Sequence, residues 1–291
     1  MALMTRRTAL VGALLTGPAL LAPPAVANAA ADAEARLADL ERTNGGRLGV
    51  AILDLATGRQ IGRRADERFA MCSTFKLLAS ALVLSRVDRG EEHLDRLIPF
   101  AKENVVPYSP VTEKHAGNGG MSVAQICEAA LTHSDNTAGN LMLASFGGPG
   151  ALTAYARSLG DETTRLDRIE TDLNEATPGD PRDTTTPAAM VATMRKIMFG
   201  DALSETSRAQ LTTWLVANTT GGKRLRAGLP EDWRIGDKTG TSGNGATNDL
   251  AIVWPPARRP IIVAAYFAES PAPADQREAV LAEVGRIVAG L

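Results

Sequence analysis

Apolar residues set a rhythm along this chain, and the rhythm changes twice. Over 33–42 they recur at helical spacing, with Leu37 and Leu40 on one face. The stretch RLGVAIL at 47–53 is strand-like. Ala56-Thr57-Gly58 then supplies a turn and 59–63 a second strand, which predicts a hairpin. From 74 to 217 the signals are helical, best at 74–89, 123–131, 138–146, 151–159, 187–198 and 205–217, with Pro187 suited to a first helical turn. Short runs rich in branched residues return at 234–238, 249–254 and 261–267, and 276–291 closes as an amphipathic helix. Strands therefore flank a long helical middle. The economical arrangement is an α/β plus all-α two-domain fold. An antiparallel five-stranded sheet flanked by helices is built from both ends of the chain, 30–70 and 218–291. An all-helical domain is inserted at 71–217. A cleft between two such units is a natural place for a ligand.

The first 29 residues stand apart. Thr5-Arg6-Arg7 precede an apolar run at 9–22 broken by Gly12, Gly17 and Pro18, and Ala27-Asn28-Ala29 forms an A-x-A cleavage site. The run is too short and too interrupted to span a bilayer comfortably, so it reads as a twin-arginine export signal and not as a stable membrane anchor. The expected destination is the periplasm or the cell exterior, with the export machinery as partner. The whole chain is 44% hydrophobic and 22% charged with formal net charge −2, ordinary for a globular protein. Scattered acids argue against disorder, and the lack of a basic run argues against nucleic acid as a partner. A monomer acting on a small molecule is expected. Of the two cysteines, Cys72 adjoins the start of one helical segment and Cys127 lies within another, at unknown separation, so buried free thiols are the plainer reading. His93, His115 and His133 lack metal-ligand spacing, and neither metal nor cofactor is expected. Trp214, Trp233 and Trp254 read as packing residues.

Candidate chemistry begins at MCSTFK, where Ser73 and Lys76 stand three apart and so share a helix face. A serine hydroxyl is a poor nucleophile until a neighbour takes its proton, and lysine can do so only if its own pKa is lowered. The plainer alternative is a serine opening a helix, and an SxxK pair arises by chance about once in a chain this long. Two rarer groups change the balance. Ser134-Asp135-Asn136 and Lys238-Thr239-Gly240 each occur once, in this order after SxxK, the latter on an expected strand.

With these groups in place, CSTFK, HSDNTAGNLML, RLDRIETDLN and DKTGTSGNGATND resemble a class A β-lactamase, and the likeness runs over the whole mature chain. The resemblance implies the β-lactamase/DD-peptidase-like fold and hydrolysis of β-lactams through a Ser73 acyl-enzyme. It assigns catalytic parts to Ser73, Lys76, Ser134, Glu170 and Lys238. The backbone N–H groups of Ser73 and Thr241 would form the oxyanion hole. Asn136, Asn174, Thr239, Thr241, Arg224 and Tyr108 would contact the substrate or its water, with Arg226 a rival to Arg224 for the carboxylate. Glu170 and Asn174 fall on an Ω-loop at 168–183, 16 residues long and within the range of such loops, with Arg168 paired to Asp183 across its neck. Arg168, Asp183 and Asp135 are structural in this scheme. A general base beside the ester separates hydrolysis from mere capture. Glu170 with Asn174 therefore argues against a penicillin-binding DD-peptidase, and a covalent β-lactam sensor would need a transmembrane segment, which is not expected outside the cleavable signal.

Three positions depart from the family pattern. Thr171 replaces the proline common after the glutamate, where the bond is commonly cis, which leaves cis or trans open here. Ser242 and Ser80 occupy the positions where relatives place the partners of Cys72 and Cys127, which supports two free thiols.

Overall fold

The computed structural model describes residues 24–291. The twin arginines and the apolar run of the expected export signal lie outside the described residues. Helix α1 (Pro24–Asn44) leads into β1 (Arg47–Asp54) and β2 (Gln60–Arg63), the expected hairpin. A two-residue strand β3 (Phe69–Ala70) and a 3₁₀ turn (Cys72–Thr74) precede α2 (Phe75–Asp88). The short pair β4 (Leu97–Ile98) and β5 (Met121–Ser122) brackets a loop. Helices α3 (Val123–Thr132), α4 (Asn136–Phe146) and α5 (Pro149–Ser158) follow. The strand β6 (Thr184–Thr185) pairs back onto β3, and α6 (Pro187–Phe199) and α7 (Glu205–Val216) complete the helical middle. The chain then returns through β7 (Arg234–Thr241), β8 (Thr247–Trp254) and β9 (Ile261–Ala268) to α8 (Ala274–Ala289).

The sheet order is β2-β1-β9-β8-β7, antiparallel throughout, so both ends of the chain meet in one sheet as the hydrophobic pattern predicts. Its strands read as apolar runs rather than alternating ones because both faces are covered. Along β9, Ile261, Val263, Ala265 and Phe267 pack with α1 and α8. The alternate residues Ile262, Ala264 and Tyr266 join the core of the helical middle. That core is continuous across the junction: α6 lies on β1 and β9, and α7 on β7. Among the described residues no helix is long and apolar enough to cross a membrane.

Local signals explain several boundaries. Ser122 and Gln125 form a capping box at the start of α3, and Thr186 caps α6 just before Pro187. Helix α4 starts two residues before the pattern predicts, because the Asp135 side chain accepts from Ala138 N and so caps it. Ser73 is not a helix cap. It sits inside the 3₁₀ turn, and the residue before α2 is Thr74, which makes no side-chain cap bond. The four two-residue strands are too short to leave a period in the sequence.

Candidate active site

Ser73 is placed by an unusual piece of backbone. Cys72, directly before it, has φ +47°, a left-handed conformation rare outside glycine, so the chain turns sharply into α2. Asn248 of β8 holds that turn, its amide donating to Ala70 O at 2.9 Å and Met71 O at 3.1 Å. One helical turn on, Lys76 is fully buried and its Nζ donates to Ser73 Oγ at 2.9 Å, Ser134 O at 2.8 Å and Asn136 Oδ1 at 2.7 Å. Burial lowers its pKa, opposed by the nearby Glu170 carboxylate.

Ser134 also has a positive φ, +57°, which turns its side chain toward the cleft while Asp135 points inward. Asp135 accepts from Ala138 N, Val111 N, Thr112 N and Thr112 Oγ1, between 2.8 and 3.0 Å, and so locks the 107–112 loop to α4. Lys238, buried on β7, donates to Ser134 Oγ at 2.9 Å. Burial pushes its pKa well down, and Lys76 and Arg224 add to this as like charges. Asn136 accepts from Lys76 and donates to Pro107 O at 2.9 Å, leaving one amide hydrogen uncommitted.

Glu170 closes the site from below. Its Oε1 lies 3.1 Å from Ser73 Oγ and 2.8 Å from Lys76 Nζ, and its Oε2 accepts from Asn174 Nδ2. The Glu170–Thr171 peptide bond, left open by the sequence, is cis. Asn140 on α4 clamps the Glu170 backbone at both ends, accepting from its N at 2.8 Å and donating to its O at 2.9 Å. At the loop neck Asp183 accepts from Arg168 Nε at 2.6 Å and from the N–H groups of Asp167 and Arg168. The far side of the loop is tied to the β7–β8 turn, where Ser242 Oγ donates to Asn174 O at 2.7 Å and Asn244 to Glu175 O at 2.6 Å.

The opposite wall is strand β7. Thr239, Gly240 and Thr241 line the cleft, and a Cβ at Gly240 would meet Met71 O at 2.7 Å, so glycine lets β7 close on the Ser73 turn. Arg224 enters the cleft with Nη2 donating to Thr241 Oγ1 at 2.8 Å, while Nη1 is fixed by Gly240 O and Asn248 O. Arg226 turns away and pairs with Asp237. Arg224 therefore lies in the cleft and Arg226 outside it, a difference that spacing alone could not show. Tyr108 is 62% exposed on the rim, which removes the alternative of core packing.

The cleft, about 570 Å³, thus gathers Ser73, Ser134, Asn136, Asn174, Arg224 and the Thr239–Thr241 strand edge, with Lys76, Glu170 and Lys238 behind it. Arg168, Asp183 and Asp135 stand outside as supports. Sequence reasoning missed Asn140, Gly139, Thr220 and Glu278. Asn140 was legible, being one turn beyond Asn136 on the same face of α4. Thr220 and Glu278 meet Thr239 and Arg224 only through the tertiary fold. Cys72 and Cys127 are buried free thiols, as expected.

Residues 32–290 match the model of the β-lactamase enzyme family. The chain is 49% identical over 286 residues to β-lactamase CTX-M-8 of Citrobacter amalonaticus, which covers 98% of this chain and 96% of that protein. It is 51% identical over 256 residues to β-lactamase AST-1 of Nocardia asteroides, covering 88% and 82%. Among solved structures it is similar to an ancestral class A β-lactamase (GNCA), with TM-score 0.87 and 66% identity over 88% of this chain and 98% of that one. Likeness of this depth extends over the elements that carry the cleft, and the chain belongs to class A of the β-lactamase enzyme family.

Proposed function

We propose that this enzyme hydrolyses the β-lactam ring of penicillins and cephalosporins through an ester on Ser73 that Glu170 clears with water, and so confers resistance. The observation that carries the reading is the position of Glu170, 3.1 Å from Ser73 Oγ with Asn174 on its other oxygen. Ser73 Oγ attacks the lactam carbonyl carbon and its proton passes to Lys76 or Glu170, both within hydrogen-bond reach. Burial makes the Lys76 ammonium readier to give up a proton, while the Glu170 carboxylate at 2.8 Å opposes that release. The carbonyl oxygen gathers charge between the N–H groups of Ser73 and Thr241, where one donor is worth about 3 kcal/mol. The C–N bond breaks as Ser134 gives its proton to the nitrogen, with Lys238 at 2.9 Å keeping that region positive. Arg224, Thr239 and Thr241 hold the substrate carboxylate, Asn136 its acylamino group, and Tyr108 walls the cleft. Water held by Glu170 and Asn174 then loses a proton to Glu170 and attacks the ester carbon. The C–O bond breaks and Ser73 regains its hydrogen.

The test is mass spectrometry of the protein with a penicillin. Wild type should turn over without accumulating an adduct, and Glu170→Ala should collect one acyl group on Ser73. Wild type that stalls after one equivalent would assign the cleft to capture, as in a DD-peptidase or a sensor.

Export by a twin-arginine signal to the periplasm or exterior, as a monomer, completes the proposal, supported by Thr5-Arg6-Arg7, the apolar run and Ala27-Asn28-Ala29. Replacing Arg6 and Arg7 by lysine should hold activity inside the cell. Export undiminished by that change would rule out the twin-arginine route.

A further inference from the structure

A second cavity, about 580 Å³, lies between α6 and the β1–β2 edge of the sheet and shares no lining residue with the catalytic cleft. Small residues make it. Ala188 and Ala192 line one side at i, i+4 spacing on α6, opposite Ala51 and Leu53 of β1 and Gly62, the partner of Ala51 on β2. Side chains that short leave the seam between helix and sheet unfilled, and the volume falls within the ~300–1,000 Å³ of small-molecule sites. Phe199 stands at one end and is 39% exposed, one of the few large apolar side chains left open to water among the described residues.

The charge at this cavity is all of one sign. Arg195 and Lys196 are its only charged lining residues, and no carboxylate lines it. The Lys196 ammonium is engaged with Leu159 O. Arg195 is exposed and forms no ion pair or side-chain hydrogen bond among the described residues. An apolar slot with an uncompensated guanidinium beside it fits a molecule with an apolar tail and an anionic head, and a guanidinium binds a carboxylate through two parallel hydrogen bonds. From Ala188 to Phe199 the helix advances about 16 Å, room for a chain of about ten carbons. The site is a recess between a helix and a strand edge, so it admits one chain rather than a bilayer face.

We propose that this cavity binds a free medium-chain alkyl carboxylate, its tail between α6 and β1–β2 and its head on Arg195. The test is calorimetric titration of the enzyme with hexanoate, octanoate and decanoate below their micellar concentrations. One saturable site is expected, with Kd falling about fourfold per added methylene as each is buried. Decanol should bind at least about tenfold more weakly than decanoate because it lacks the head charge. Ala192→Trp, which fills the slot, should abolish binding. Arg195→Glu, on an exposed position of α6, should weaken it at least about tenfold, and penicillin turnover should be unchanged in both variants. Should Ala192→Trp fail to fold, Arg195→Glu and the decanol comparison still decide. Four results would overturn the proposal: no saturable binding, indifference to Arg195→Glu, displacement of decanoate by penicillin, or binding to anionic vesicles with none to the free acid.

Discussion

At the scale of single residues, burial sets the chemistry. Lys76, Lys238 and Glu170 are all removed from water, and each is held by hydrogen bonds to named partners at the cleft. The same burial silences two other nucleophiles. Cys72 adjoins Ser73, yet burial pushes its thiol up to about 12, with the Glu170 carboxylate adding to the shift. Cys127 is pushed to about 12 by burial as well, with Ser80 opposing the change. The sign follows directly: raising a thiol pKa removes thiolate at any pH below it. At pH 8 the thiolate fraction should be on the order of one in ten thousand. Native enzyme should therefore leave Ellman's reagent unreacted at pH 8, and two thiols should appear on unfolding. Prompt reaction of one thiol in the active, folded enzyme would contradict this.

At the scale of elements, helix α4 does three tasks with one face. Asn136 meets Lys76, Asn140 clamps Glu170, and Gly139 between them leaves room for the lysine. A glycine inside a helix costs about 1 kcal/mol relative to alanine, so propensity alone favours Gly139→Ala. Space decides otherwise, since a Cβ there would lie 2.8 Å from Lys76 Cε. The lysine cannot swing aside without losing the hydrogen bonds that fix its nitrogen. Gly139→Ala should keep the fold and lose at least about tenfold in kcat/KM, because small misplacements of a catalytic group are costly. Steady-state kinetics beside a melting curve would check both halves. Unchanged kcat/KM would mean that Lys76 has slack that its contacts do not suggest.

At the scale of the whole molecule, the far face of the sheet reaches the cleft through packing. Helix α8 lies directly on the 3₁₀ turn Leu225–Gly228, which follows Arg224. Two glycines permit it: a Cβ on Gly285 would run into Leu225 O, and one on Gly228 into Ala282 O. Gly285→Leu must push helix and turn apart. The expected cost is on the order of 2–3 kcal/mol, with a melting temperature several degrees lower. Arg224 would shift with the turn, so KM for penicillins should rise more than kcat falls. A variant that loses stability but keeps KM would detach the arginine's position from α8.

The hydrophobic pattern located all five strands of the sheet and every long helix, because these elements bury regular faces and leave a period in the chain. The SxxK, SDN and KTG groups were legible as short motifs in a fixed order, and Glu170 through the family resemblance those motifs carry. Other features were out of reach. The two-residue strands β3 to β6 have no period, and the shared core across sheet and helices depends on long-range docking. Arg224 and Arg226 are two residues apart with the same charge, and only the neighbouring β7 and β8 carbonyls and Asp237 tell them apart. The seam at α6 likewise looks like ordinary alanine-rich helix until β1 and β2 are set against it. Sequence alone determined which side chains and elements exist, since these follow from local periodicity and short-range chemistry. The tertiary structure alone decided which of them meet, since contacts between distant segments depend on packing that no local pattern encodes.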